Sequence, residues 1–166
     1  MAIAFELVVN FGTDQAAVDR ARAAVLDHPP LVAGEHRIPL HPPLLFTADG
    51  GYLEMSVLPV GVGWGIAMEH RAPRLPLTPD ELDEVGFGLY DLLRRFTGYL
   101  AAVVGKNPLD LVDLDELRSD YADEVATGRL PGLVLADEVH REMHGSGFTR
   151  FAPGYLWIPY QGEWRP

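Results

Sequence analysis

Two histidines near the C-terminus have the spacing of a metal-binding pair. The segment DEVHREMHG places His140 and His144 four residues apart, with Glu142 between them. On a helix, residues i and i+4 project from the same face, so both imidazoles could bind one divalent metal ion. The zincin motif has a glutamate directly after its first histidine, but Arg141 occupies that position here. No third ligand is identified, and the alternative is two partly exposed histidines near a helix C-terminus, where the dipole favours a cation.

A glycine-rich segment, VGVGWG, is the second candidate site. Its glycines alternate at 61, 63 and 65, and in a strand they would share one face. A dinucleotide-binding fingerprint must lie between a strand and a helix, whereas this segment is predicted to belong to a hairpin with arms at 52–59 and 62–71. A smooth glycine strip would either pack against a helix or form the floor of a small-molecule pocket. The residues predicted to line such a pocket are Tyr52, Gly63, Trp64, Gly65, His70 and Trp157.

Acidic side chains are concentrated in one part of the chain. The 166 residues include 24 acidic and 13 basic side chains, which gives a formal net charge of −11. Residues 80–138 contain 14 of the acids and 5 of the basic residues. This excess is expected on the outer faces of helices, where it would either keep the protein soluble or bind a basic protein partner. The predicted interaction face consists of Asp115, Glu116, Asp120, Asp123 and Glu124.

Several kinds of chemistry are excluded by composition. There is no cysteine, so thiol nucleophiles, zinc–thiolate sites, iron–sulfur clusters and disulfides are absent. Lys106 is the only lysine and lies in VVGKNP, which is not a phosphate-binding loop. Ser146 lies in HGSGF, which lacks the glycine spacing of a nucleophile elbow. The net negative charge argues against nucleic acid as a partner, because phosphate binding needs a basic surface.

Aromatic residues cluster toward the C-terminus. They would close the core with a final strand, form a contact in a homodimer, or provide a ligand platform. The residues are Phe148, Phe151, Tyr155, Trp157, Tyr160 and Trp164.

The N-terminal half is expected to begin with a strand and a helix. Residues 3–11 (IAFELVVNF) have the composition of a strand. Thr13 is predicted to cap a helix whose buried positions recur at helical spacing and which stops before Pro29. A short strand is expected near 43–47 in an otherwise proline-rich loop.

Two capping boxes predict helix starts in the second half. Thr78 and Glu81 form the first, with proline in the first helical position, and Gly98 is expected to be the C-terminal stop of the helix. Asp113 and Glu116 form the second, and its helix is predicted to continue to about residue 128. Between these helices, YLAAVVG could extend the first helix, but the following KNP turn favours a strand over 99–105. A helix over 137–143 and a strand over 153–160 complete the chain.

These elements predict an α+β fold in a single domain spanning 1–166. We expect a mixed or largely antiparallel sheet of about five or six strands, with helices packed mainly on one face. The N-terminal sequence lacks the basic flank of a signal peptide, and no segment approaches the ~18 apolar residues of a membrane span. A cytoplasmic protein with no membrane partner is therefore expected.

Three functions are compatible with the sequence. The scarcity of nucleophiles favours a non-catalytic protein-interaction or inhibitor-type module that uses the acidic helical face, with no cofactor. The first alternative is a small-ligand-binding domain with its pocket at the glycine strip and the aromatic residues. The second is a metal-dependent hydrolase, with a divalent metal ion at His140 and His144.

Overall fold

A computed structural model describes residues 2–69 and 73–163. Nine strands lie in these ranges: β1 (Phe5–Asn10), β2 (Leu31–Ala33), β3 (His36–Ile38), β4 (Leu44–Thr47), β5 (Leu53–Val57), β6 (Ala101–Lys106), β7 (Val134–Ala136), β8 (Thr149–Ala152) and β9 (Tyr155–Trp157). The helices are α1 (Gln15–Leu26), α2 (Pro79–Leu93), α3 (Leu114–Arg118), α4 (Ala122–Thr127) and α5 (Asp137–Met143), and 3-10 turns occupy Ala67–Glu69 and Leu109–Val112.

Seven of the strands form one antiparallel sheet in the order β4-β5-β1-β6-β7-β9-β8. The other two, β2 and β3, pair separately as a hairpin that contacts α2. The predicted α+β class and the largely antiparallel sheet are confirmed. The expected number of five or six strands in the sheet was too low, because β7 and β8 have only three and four residues and give no recognisable alternation.

The central strand β1 is covered on both faces. Side chains alternate along it, so that Leu7 and Val9 lie on one face and Val8 on the other, and none of the three is exposed. Asn10 shares its face with Val8, and its side-chain amide donates a hydrogen bond to the carbonyl oxygen of Val112 (2.9 Å). The short turn before α3 therefore packs on one face of the sheet. Burial on both faces explains why the β1 sequence is an almost continuous apolar run.

The predicted capping box of α2 is present. The backbone N–H of Glu81 donates to the hydroxyl of Thr78 (3.2 Å), and the backbone N–H of Thr78 donates to the Glu81 carboxylate (2.8 Å). The helix ends at Leu93 with Arg94 as its C-cap, so it stops earlier than predicted and Gly98 is not its C-terminal stop. The strand predicted over 99–105 is present as β6.

Three other local predictions were wrong. The cap of α1 is Asp14, whose carboxylate accepts from the backbone N–H of Ala17 (3.0 Å), rather than Thr13.

The long helix predicted from Asp113 is divided into α3 and α4. At the break, the hydroxyl of Ser119 donates to the carbonyl oxygen of Asp115 (2.8 Å), a local bond that competes with helix continuation.

The predicted hairpin over 51–71 is the third error. Its first arm contains β5, but β5 pairs with β1 and β4, so the hairpin joins β4 to β5 instead. Residues 61–65 form a turn, since Gly61 and Gly65 adopt positive φ angles (77° and 67°) that interrupt an extended strand. The end of the predicted second arm, including His70, lies outside the described residues.

Tyr90 connects α2 to the sheet. Its hydroxyl donates to the carbonyl oxygen of Gly132 (2.7 Å) and accepts from the backbone N–H of Val104 (3.1 Å). The ring is fully buried and packs against Phe151, Trp157 and Tyr160, with centroid separations of 5.1–6.1 Å. Burial raises the pKa of Tyr90 well above its ordinary value, so the hydroxyl keeps the proton that it donates.

In the described ranges, no helix has the length and apolar character needed to cross a bilayer.

Close packing against α2 gives a test of this arrangement. A Cβ atom at Gly86 would lie 2.6 Å from the Tyr160 hydroxyl oxygen, although alanine normally stabilises a helix by about 1 kcal/mol relative to glycine. We expect G86A to lower the free energy of unfolding by about 1–3 kcal/mol, because the packed ring must shift. Urea unfolding of the purified protein measures this change.

The matched control is G88A in the same helix. Its Cβ would meet only the flexible end of Leu31, at 3.1 Å, so we expect stability within about 1 kcal/mol of the wild type. A G86A protein as stable as G88A would contradict the described packing of Tyr160.

Candidate functional site

A cavity of about 550 Å³ lies between the start of β1, the loop after β5 and the first turns of α2. We call it the Trp64 cavity. Its walls are mainly apolar and include Ile3, Phe5, Val62, Trp64, Leu75 and Leu82. A volume of this size is within the range of about 300–1,000 Å³ that is typical of small-molecule sites.

The loop that carries Trp64 is held against the N-terminal strand by backbone bonds. The N–H of Ile3 donates to the carbonyl oxygen of Trp64 (2.7 Å), and the N–H of Trp64 donates to the carbonyl oxygen of Ile3 (2.8 Å). Gly63 permits this approach, since a Cβ there would lie 2.8 Å from the Ile3 carbonyl oxygen. The indole itself remains 52% exposed, so it is available for contact with a ligand.

A buried carboxylate fixes the other side of the same loop. One oxygen of Glu69 accepts from the backbone N–H of Gly61 (2.6 Å) and lies 2.5 Å from Nε2 of His41. The carbonyl oxygen of Gly61 accepts in turn from the backbone N–H of Leu75 (2.9 Å), which is a cavity residue. The cavity wall is therefore tied to two other segments of the chain.

Two cations stand at the cavity. Lys106 is the register partner of Phe5 in the β1–β6 ladder, so both side chains lie on the face of the sheet that forms the cavity. Arg74 lines the cavity from the segment before α2. Both side chains are exposed, and neither forms a hydrogen bond or ion pair within the described part of the chain.

Two carboxylates also line the cavity, but protein donors bind them. The Tyr160 hydroxyl donates to Glu163 (3.0 Å), and the backbone N–H of Glu163 donates to the Asp83 carboxylate (3.0 Å). Burial raises the pKa of Glu163 above its ordinary value, and the Tyr160 hydrogen bond and the charge of Lys106 partly offset that rise.

Of the predicted pocket residues, Gly63 and Trp64 line this cavity. Gly65 lies one residue beyond Trp64, in the turn. Tyr52 lines a separate hollow together with Tyr99. His70 lies outside the described residues.

The last predicted pocket residue, Trp157, belongs to the aromatic cluster around Tyr90. Its ring is 5.2 Å from that of Tyr90 and 4.9 Å from that of Phe151, and the guanidinium of Arg94 lies over both Phe151 and Trp157. Phe151, Tyr155 and Trp157 are thus joined to the core, while Trp164 lies outside the described residues.

Sequence reasoning did not assign Lys106 or Arg74 to the pocket. Lys106 was informative only as the single lysine of the chain, and its position beside Phe5 depends on the pairing of strands about 100 residues apart. No local sequence pattern indicates which distant strands will pair in the sheet.

The two histidines of the proposed metal pair occupy different environments. His140 is half-buried in α5, with Nε2 3.0 Å from the carbonyl oxygen of Gly145 and its ring 4.8 Å from that of Phe148. His144 lies beyond the last helical turn, is exposed and has a positive φ of 52°. Among the residues that the structure describes, no group of three or more histidine, aspartate or glutamate side chains is placed to hold a metal ion.

The predicted acidic face is distributed over α3 and α4. Its members Asp115, Asp120 and Asp123 are exposed, and Glu116 and Glu124 are half-buried. A hydrogen bond with Asp120, together with the negative charge of neighbouring aspartates, raises the pKa of Glu116 above its ordinary value.

Arg118 partly neutralises one side of this face. Its guanidinium lies 3.6 Å from the Asp115 carboxylate and 3.2 Å from that of Glu142 in α5. Exposed pairs of this kind contribute little to stability, but they reduce the local negative potential.

Two further carboxyl groups are buried on the sheet. Glu6 accepts a hydrogen bond from the hydroxyl of Ser56, and burial raises its pKa above the ordinary value. Glu54, on the strand next to β1, is only 5% exposed. Burial, together with the nearby negative charge of Asp113, raises the pKa of Glu54 to about 7.

Comparisons with known proteins found no matching family model, no matching curated protein and no matching solved structure. The function must therefore be inferred from the chemistry of the cavity and the surface.

The raised pKa of Glu54 predicts a pH-dependent stability. The folded-state pKa of about 7 lies above the ordinary value of 4.5, so protonated Glu54 stabilises the fold at low pH and this contribution is lost as the pH rises toward 7. Between about pH 5 and about pH 8, we expect the wild type to lose about 1–3 kcal/mol of unfolding free energy relative to E54Q. Urea unfolding at the two pH values measures the difference.

E35Q is the control, because Glu35 is exposed and its removal changes the net charge equally. Its pH dependence should parallel that of the wild type. If E54Q also follows the wild type, Glu54 does not titrate as described.

Proposed function

We propose that this protein binds a small, largely apolar molecule in the Trp64 cavity. The observation that carries this proposal is a cavity of about 550 Å³ with mainly apolar walls, formed by residues from both ends and the middle of the chain. Transfer of an apolar ligand from water to a surface of this kind is favourable by roughly 25 cal/mol for each Å² of apolar surface that is buried.

The way the cavity is built supports binding. Trp64 is positioned by two backbone bonds to Ile3, and its loop is tied down through Glu69, so the wall is formed before a ligand arrives. A preformed wall lowers the ordering cost of binding. Thr78 also lines the cavity, and its hydroxyl accepts the hydrogen bond that caps α2. We therefore assign this hydroxyl a role in the helix and not in a chemical reaction.

An uncharged fluorescent probe tests the proposal. N-phenyl-1-naphthylamine should bind saturably to the wild type, with an increase in its emission. We expect W64A to bind it about 5–10-fold more weakly, because the exposed indole contributes part of the apolar contact surface.

L26A provides the matched control, since Leu26 is also about half exposed but lies on α1, away from the cavity lining. Its affinity should equal that of the wild type. Absence of saturable probe binding, or equal affinities for W64A and L26A, would overturn the proposal.

The acidic face supports a second candidate function, binding of a basic protein partner. The specific observation is the exposure of Asp115, Asp120 and Asp123 within the short stretch that contains α3 and α4, where like charges repel one another. A cationic surface would relieve this repulsion and associate in a salt-dependent manner.

A labelled oligoarginine peptide at low ionic strength tests this candidate. The double variant D120N/D123N should weaken binding by more than fivefold, because it removes two exposed charges from the face. D19N/D49N removes the same charge elsewhere and should have a smaller effect. Equal losses in the two variants would reduce the interaction to net charge and refute a dedicated face.

A further inference from the structure

We infer that the ligand of the Trp64 cavity is an apolar carboxylic acid, whose carboxylate is bound by Lys106 and Arg74. This inference rests on the proposed function, since it specifies the chemistry of a molecule bound in the same cavity. It follows from the distribution of charge around the cavity and the partners of each charged group.

The cations differ from the carboxylates in having no direct bond to the protein. Neither Lys106 nor Arg74 forms a side-chain hydrogen bond or ion pair within residues 2–69 and 73–163. By contrast, Glu163 accepts from the Tyr160 hydroxyl, and Asp83 accepts from a backbone N–H. A ligand anion would therefore supply a direct contact that neither cation has, in competition with the nearby carboxylate of Glu163, whose pKa is raised by burial and lowered in part by the charge of Lys106.

The position of the cations fits an amphipathic ligand. Both side chains are exposed, whereas Phe5, the register partner of Lys106, is buried. A ligand with one charged end would keep its carboxylate in contact with the cations and its hydrocarbon part against the apolar wall. Long cationic side chains commonly combine these two kinds of contact, because their stems are apolar.

The net negative charge of the protein makes anion binding depend on the cations at the cavity. A protein of net charge −11 repels anions at a distance, so an anionic ligand must gain its affinity from cations at short range. The chain has one lysine, and that lysine stands at the cavity. Removing either cation should consequently weaken carboxylate binding without changing the affinity for an uncharged ligand of the same length.

Three probes of equal chain length test the inference: decanoate, decanol and decylamine. Each is used to displace N-phenyl-1-naphthylamine from the wild type, below the concentration at which it forms micelles. We expect decanoate to act at a concentration at least fivefold lower than decanol, with decylamine no better than decanol.

Substitutions then identify the groups responsible. K106M and R74M retain an unbranched stem, and each should weaken decanoate at least threefold while leaving decanol unchanged. R22M is the control, since Arg22 is an exposed arginine on α1 outside the cavity lining, and it should change neither affinity.

The outcomes separate this inference from the function on which it rests. Equal displacement by decanoate and decanol, or stronger displacement by decylamine, would overturn the anionic ligand while the cavity remained a binding site. Loss of decanoate selectivity in R22M would overturn the assignment to Lys106 and Arg74. Failure of the naphthylamine probe to bind at all would overturn both proposals.

Discussion

One hydroxyl group joins parts of the molecule that the chain keeps far apart. The hydroxyl of Tyr90, in α2, donates to the carbonyl oxygen of Gly132 and accepts from the N–H of Val104. All three groups are buried, so loss of the hydroxyl would leave two backbone groups without partners, at a cost of about 1–3 kcal/mol each. This bonding holds α2 against β6 and the loop before β7. Because the first turns of α2 form one wall of the Trp64 cavity, the cavity depends on the same contact.

The cavity itself is formed where several segments meet without filling the space between them. The central strand supplies Phe5, the neighbouring strand supplies Lys106, and the loop after β5 supplies Trp64. The loop is held by backbone bonds to Ile3 and by the carboxylate of Glu69, which is itself paired with a histidine. Rigid support and an exposed aromatic surface are the features expected of a binding site rather than of a packing defect.

Charge is arranged differently in the two candidate sites. On and between α3 and α4, Asp115, Asp120 and Asp123 are exposed to solvent, and a hydrogen bond with Asp120 together with nearby negative charge raises the pKa of Glu116. At the cavity, the carboxylates accept hydrogen bonds from protein donors, whereas Lys106 and Arg74 form no hydrogen bond or close ion pair within the described residues. The net charge of −11 therefore covers two different local arrangements, a surface with exposed carboxylates and a cavity lined by both cations and carboxylates.

The local sequence determined those helices and strands whose caps, turns and apolar periodicity are formed by residues close together in the chain. We could predict the capping box at Thr78, strand β1 from its apolar run, and strand β6, which ends at Lys106. Neighbouring residues specify caps, periodicity and turns, so a short stretch of sequence is enough to recognise them. Tertiary structure decided the pairing of β5 and the composition of the cavity. Strand pairing joins residues about 100 positions apart, and the cavity walls include both Ile3 and Glu163, so both depend on the packing of the whole chain. Trp64 could therefore be predicted as a pocket residue from the adjacent glycines in the sequence, whereas Lys106 and Arg74 could be assigned to the same cavity only from the folded structure.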